Sequence, residues 1–288
     1  STPLFAPFFM LFFGICFGDG GYGLLLLLLG TLMKRKAKAD MKPILSLLQC
    51  FGIATLVVGT LSGSFFGVNI AEIPALASVK RYFLTSDNIM TLSLVIGFIH
   101  VLYGKFVAAM KVKVQRGLKY SLAAFAWVFL ILALALAVGL PMMNIHLPQP
   151  VVYALYGVAG VGALIAFFYN SPGKNVFLNF GSGIWATYNT ASGLLGDTLS
   201  YIRLYAIGLT GSLLGGVFNT MAVDMTATMP IWVRWLPMLL ILLVGHALNI
   251  GLSMVSSLVH PMRLIYVEYY KNSEFEGGGT AYAPFRKI

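Results

Sequence analysis

Six polar side chains recur along the last hydrophobic segment of the chain: His246, Asn249, Ser253, Ser256, His260 and Arg263, at steps of 3, 4, 3, 4 and 3. On a helix those steps keep them on one face. Apart from Ser257 and Pro261, the residues between them are Leu, Ile, Val, Met, Ala and Gly. At about 1.5 Å per residue the stripe runs roughly 25 Å, close to the hydrocarbon thickness of a bilayer. A ladder of hydrogen-bonding groups ending in an arginine is costly inside a membrane unless it lines water, an ion path or a partner. The two imidazoles titrate near neutral pH, so they suit a proton relay, or equally hydrogen bonds between helices. The serines and Asn249 count only through their collective spacing, since single serines often bond back to their own helix.

A second arginine, Arg203, stands within Gly196-Asp197-Thr198-Leu199-Ser200-Tyr201-Ile202-Arg203 of the preceding apolar segment. A central membrane arginine costs roughly 2.5–3.5 kcal/mol on insertion scales. The guanidinium stays protonated at physiological pH and offers a planar fork that suits a carboxylate. It can therefore hold a permanent charge against a carboxylate that loads and unloads an ion, favouring the ionised form and release. The plainer alternative pairs the arginines with Asp197 and Glu268, or lets them snorkel to headgroups. Snorkelling competes most strongly for Arg263, near the end of its segment. Asp197, with Ser200 and Tyr201 at i+3 and i+4, suits either an aqueous entry or an ion pair. The other carboxylates, Asp40, Glu72, Asp87, Asp224, Glu274 and Glu276, lie mostly at segment ends or in loops. The carboxylate that loads the ion is accordingly expected on another subunit. His100, mid-segment among apolar residues, reads as a packing or hydrogen-bonding residue.

The elements that must hold these groups are membrane helices. Of 288 residues, 59% are hydrophobic and 10% charged, and mean hydropathy is +0.86. Unbroken apolar runs of this kind predict an all-α integral membrane protein rather than a barrel. About eight transmembrane helices are expected, over 3–17, 20–33, 43–70, 89–110, 120–140, 151–170, 189–222 and 232–270. The last two, the ion-path helices, are too long for a vertical crossing of about 20 residues, so they must tilt, bend or project. Pro261 cannot donate to the Ser257 carbonyl and predicts a local bend. Asp19, in the turn Gly18-Asp19-Gly20-Gly21, reads as a turn residue at the membrane surface. The runs 59–63 and 208–216, rich in small residues, read as close helix contacts.

The net charge of +10 sits in short loops: Lys34, Arg35, Lys36, Lys38 and Lys42, then Lys111, Lys113, Arg116 and Lys119. This is the positive-inside pattern, and it excludes a nucleic-acid reading. It places the N- and C-termini in the cytoplasm, the latter with Lys271, Arg286 and Lys287; Lys80 and Arg81 fall outside as an exception. Cys16 and Cys50 read as packing residues, too few for a metal site. No phosphate-binding loop, zinc motif or nucleophile constellation occurs, so no active site and no cofactor are expected within the chain.

With both arginines placed, the chain resembles the membrane half of the large stator subunit of V-type and A-type rotary ATPases, called subunit a in eukaryotes and subunit I in bacteria and archaea. FFGICFGDGGYG at 12–23 resembles that family's first hairpin. GDTLSYIRLYAIGL at 196–209 resembles its seventh span, with the essential arginine at Arg203. VHPMRLIYVEYY at 259–270 resembles its eighth, with the second arginine at Arg263, and EFEGGGTAYAPF at 274–285 its C-terminal tail. The resemblance implies a non-catalytic membrane subunit whose two tilted helices face a rotor ring of small subunits, each with an essential carboxylate. Two offset half-channels would carry H⁺ or Na⁺, coupled to ATP hydrolysis or synthesis on distant soluble subunits. It implies further partners in a central-stalk connector and in peripheral stalks, the latter through an N-terminal cytoplasmic half absent from this chain. Residues 1–288 are thus expected to be one transmembrane domain, the C-terminal half of a longer subunit, in lipid of a prokaryotic plasma membrane. Eukaryotic members carry a histidine eight residues after the first arginine, where this chain has Gly211. They carry a glutamate ten before the second, where it has Ser253; the GDTLSY form looks bacterial or archaeal.

Two other classes compete. A self-contained secondary ion-coupled transporter would favour repeated halves and an internal substrate site, and neither is evident. A scaffold whose arginines only anchor lipid or neighbouring helices would tolerate Arg203→Ala.

Overall fold

A computed structural model describes residues 2–70, 86–142, 145, 147–169 and 176–275. The helices are α1 (Thr2–Phe17), α2 (Gly20–Lys36), α3 (Lys42–Ser62), α4 (Ser86–Arg116), α5 (Leu118–Leu134), α6 (Leu140–Met142), α7 (Gln149–Phe168), α8 (Val176–Leu199), α9 (Ile202–Thr226), α10 (Ile231–Leu264) and α11 (Tyr270–Asn272). The strands β1 (Ser64–Phe65) and β2 (Val68–Asn69) form one antiparallel hairpin, Ser64 opposite Asn69. The fold is all-α membrane protein, as its hydropathy demands. Among the described residues, six helical stretches are long and apolar enough to cross a bilayer: 39–62, 87–116, 118–139, 149–168, 180–226 and 231–272. At 16 and 17 residues, α1 and α2 fall below the roughly 20 that a vertical crossing takes.

Three boundaries differ from expectation. The third segment does not run to residue 70. It stops at Ser62, where Gly63 takes φ +71° and returns its N–H to the Gly59 and Thr60 carbonyls; the hairpin follows. The seventh is not one helix over 189–222. It begins at Val176, breaks at Ser200–Tyr201, and resumes as α9 to Thr226. In the eighth, the helix runs on through Pro261, and one turn later the ladder widens to a π-turn over Ile265–Tyr269. The tail motif at 274–285 lies outside the described residues from 276 onward.

The chain divides into two compact units. The first comprises residues 1–99 and 194–266. Its inner helices approach at backbone distance through glycine. A Cβ on Gly23 would overlap the backbone of Thr55 and Leu56, one on Gly59 that of Gly20, and one on Gly208 the Ile15 carbonyl. These contacts bear out the reading of the small-residue runs. Phe13 and Phe51 stack at 4.2 Å in a core with Phe17, Tyr22 and Leu26. Cys16 is buried among these helices as a free thiol.

The second unit comprises residues 100–193 and 267–288. Here α5 packs on α7, Gly162 lying against the Ala126 carbonyl. Wholly buried His100 stacks on Tyr269 at 5.0 Å, the packing role expected of it.

Candidate ion-path site

The polar stripe of α10 lies along one side of the helix, but its members meet different surroundings. Asn249 and Ser253 are buried in the first unit, together with Ser257 and Leu264. His246, Ser256 and His260 are half-buried and Arg263 is exposed. The stripe therefore runs from the packed face of α10 to its edge.

Its first half is a closed hydrogen-bond network. Asn249 Nδ2 donates to the Gly211 carbonyl at 2.9 Å and to the Tyr22 hydroxyl at 3.0 Å. Ser253 Oγ donates to Asn249 Oδ1 at 3.4 Å. Tyr22 Oη lies 2.6 Å from His246 Nδ1, and His246 Nε2 lies 3.1 Å from Asn219 Oδ1. Asn219 Nδ2 in turn donates to the Phe66 carbonyl at 2.8 Å. A backbone carbonyl can only accept, so both ends of the chain set its polarity. Asn219 must offer its oxygen to the imidazole, so Nε2 carries hydrogen; Tyr22 then donates to Nδ1. A neutral His246 is then the Nε2–H tautomer, braced between α2, α9 and the hairpin.

The hairpin is organised by Asp19, wholly buried. Its carboxylate caps α2 through Tyr22 N–H at 3.1 Å. It also accepts from Phe66 N–H at 2.9 Å, Gly67 N–H at 2.8 Å and Ser64 Oγ at 3.1 Å. Phe66 and Gly67 have φ of +50° and +72°, the left-handed pair of a type I′ turn. Phenylalanine is disfavoured there, and the two bonds to one carboxylate offset that strain. Gly67 sits directly on Gly215 of α9, where a side chain would overlap backbone. Ser64 also bonds Ser212 of α9 at 2.9 Å. Asp19 is thus far more than the turn residue its local sequence suggests. Tyr22 and Asn219 join it as polar residues that the spacing argument missed; polar side chains within apolar helices were the available signal.

The second half of the stripe faces differently. His260 lies within electrostatic reach of both Arg203 and Arg263. Its Nδ1 is shielded from solvent and has no hydrogen-bond partner among the described residues. Arg203 is half-buried. Asp197 is buried, Ser200 bonds back to the Gly196 carbonyl at 3.1 Å, and Tyr201 is wholly buried. Glu268, also buried, lies in the second unit, where its carbonyl accepts from Asn272 Nδ2 at 2.6 Å. Among the described residues no group of three or more His, Cys, Asp or Glu side chains could hold a metal ion.

No protein-family model matches the chain. Individual proteins do. It is 30% identical to the V-type ATP synthase subunit I of Borreliella burgdorferi, an alignment that takes in 99% of this chain and 49% of that protein. It is 28% identical to the A-type ATP synthase subunit I of Methanocaldococcus jannaschii, over 99% of this chain and 44% of that one. With the V-type ATP synthase subunit I of Chlamydia pneumoniae it shares 27% identity, over 100% and 51%. The chain spans about half the length of the curated relatives it matches. The all-helical membrane fold and these matches agree: the chain is related, over nearly its whole length, to subunit I of V-type and A-type ATP synthases, and matches about half of that subunit.

Proposed function

We propose that this chain is the non-catalytic stator part of a rotary ATPase that carries H⁺ or Na⁺ between two half-channels, coupling its passage to ATP hydrolysis or synthesis elsewhere in the complex. The observation that supports the reading is that Arg203 and Arg263, from α9 and α10, both come within electrostatic reach of His260. Two permanent charges held near one another in an apolar protein repel, and an anion presented to them is favoured. A ring of small subunits, each presenting a carboxylate, supplies one at every step of rotation. The arginine field drives that carboxylate to release its ion, and the fixed charges keep ions from leaking between the half-channels.

In this reading α9 and α10 tilt against the ring. At about 1.5 Å per residue they are roughly 37 and 51 Å long, more than a bilayer core. Ser256 and His260 line the path beside the arginines. His246, Asn249 and Ser253 form its braced wall, and Asp197 and Ser200 stand toward the other entrance. The termini lie in the cytoplasm, and the remaining subunits, including central and peripheral stalks, attach there.

The test is ATP-driven ion uptake by vesicles holding the full complex, with Arg203→Ala against wild type and ring co-purification as the check on assembly. Lost uptake in an intact complex is the expected result. Normal uptake would return Arg203 to a structural role.

A further inference from the structure

The helix break at Ser200–Tyr201 falls two residues before Arg203, and neither proline nor glycine is there to cause it. The ladder tightens on both sides: Tyr201 N–H reaches the Thr198 carbonyl at 3.1 Å, and Leu204 N–H the Tyr201 carbonyl at 3.1 Å. What pins the break is the Tyr201 ring. It lies directly on the α-carbon of Gly97 in α4, so that a Cβ there would overlap ring atoms. Its other side meets the ring of Phe12 in α1, with centroids 5.4 Å apart. Tyr201 and Phe12 are both wholly buried.

Leu204 and Gly208 continue the same face of α9, three and four positions on. Leu204 is buried, and Gly208 touches the Ile15 carbonyl. Arg203 is two positions from Tyr201, roughly 200° around a helix. With Tyr201 keyed into its slot, Arg203 is directed away from the unit's core. We infer that Tyr201, seated in the slot made by Gly97 and Phe12, is the positioning residue that sets the height and direction of Arg203. The inference rests on the proposed role of Arg203 as the rotor-facing charge. A charge that must meet each passing carboxylate tolerates little displacement, because electrostatic preorganisation depends on fixed geometry. The ring of Tyr201 is the part that meets Gly97 and Phe12.

The experiment uses the full complex in vesicles carrying Gly97→Ala, Tyr201→Leu or Tyr201→Phe. Ion uptake and ATP hydrolysis are measured per assembled complex. Gly97→Ala and Tyr201→Leu are expected to lower the ratio of uptake to hydrolysis by roughly tenfold or more, the scale of a misplacement of about 1 Å. Tyr201→Phe keeps the ring and is expected to keep the wild-type ratio. A purely structural role would reduce the amount of complex while leaving the ratio per complex intact, and that outcome overturns the inference. So does a ratio lost equally in Tyr201→Phe and Tyr201→Leu, which would assign the work to the hydroxyl. Where Gly97→Ala does not assemble, Phe12→Leu, which loosens the opposite wall without adding bulk, must lower the same ratio. Arg203→Ala run alongside separates the two ideas: its normal uptake would remove the underlying reading, whereas its loss beside a normal Gly97→Ala ratio would remove only the positioning role.

Discussion

The Tyr22 hydroxyl and Nδ1 of His246 meet at 2.6 Å across 224 positions of sequence. Each of the two residues has a second partner, Asn249 for the phenol and Asn219 for the imidazole. The network ends on the Gly211 and Phe66 carbonyls, which orient both amides and put hydrogen on Nε2 of His246. Amide side chains at both ends do not pass protons on at neutral pH. The geometry is therefore that of a brace between distant helices, and it singles out one tautomer.

That tautomer is directly observable. Nitrogen chemical shifts of labelled His246 in the membrane-embedded protein should report a neutral ring with hydrogen on Nε2. Hydrogen on Nδ1, or an imidazolium at neutral pH, would contradict the network. Tyr22→Phe removes two hydrogen bonds while keeping the ring. At about 0.6–1.7 kcal/mol for each bond in a membrane, stability should fall by about 1–3 kcal/mol, seen as a lower melting temperature of the purified complex.

Asp19→Asn is expected to be worse than its small size change suggests. The carboxylate accepts four hydrogen bonds, two on each oxygen. An amide offers one oxygen and turns an NH₂ group toward donors that can no longer be satisfied. Leaving buried donors without acceptors costs about 1–3 kcal/mol each. Hydrogen exchange at Phe66 and Gly67 should accelerate strongly in the variant. Unchanged protection of those two amides would mean that Asp19 does not hold the turn.

The glycines divide into two classes, and substitution should separate them. Gly59→Ala drives a methyl group into the Gly20 backbone, whereas a Cβ on Gly251 in α10 meets nothing within 4 Å. Gly59→Ala should destabilise by about 1–3 kcal/mol or more, since neither backbone can move independently. Gly251→Ala should be neutral, or stabilising by up to about 1 kcal/mol through helix propensity. Comparable melting temperatures for the two variants would refute the backbone-contact account of α2 and α3.

Hydropathy made the membrane class, most helix positions and the α10 stripe legible, because burial in lipid acts on every residue of a span. Features made by distant contacts were not legible in the same way. Residues 63–70, Gly-Ser-Phe-Phe-Gly-Val-Asn-Ile, continue the apolar run of α3. Only the glycines at 63 and 67 hint that the helix has ended. The break before Arg203 has no proline or glycine to announce it, and the ring beside it, Tyr201, meets Gly97 more than a hundred residues earlier. Asp19 could be seen as a turn residue, but its hold on Ser64, Phe66 and Gly67 required the folded hairpin. The arginines stood out in both, since a charge in an apolar helix is conspicuous wherever the helix packs.

The charge itself can be tested apart from the side chain's shape. Arg203→Lys keeps a cation but replaces a planar fork with a point charge on a flexible stem. A lysine drawn out of water loses its proton more readily, because burial disfavours the charged form and lowers its pKa. A guanidinium, by contrast, is charged at any physiological pH. Uptake by the lysine variant should therefore fall below wild type at every pH, and its ratio to wild type should decline as pH rises from about 6 to about 9. Arg203→Gln, with no charge to lose, should give low uptake without that slope. A lysine variant with the same pH profile as wild type, at any level of activity, would show that a titrating charge at this position does not limit transport. The shape of the guanidinium would then be the property to explain.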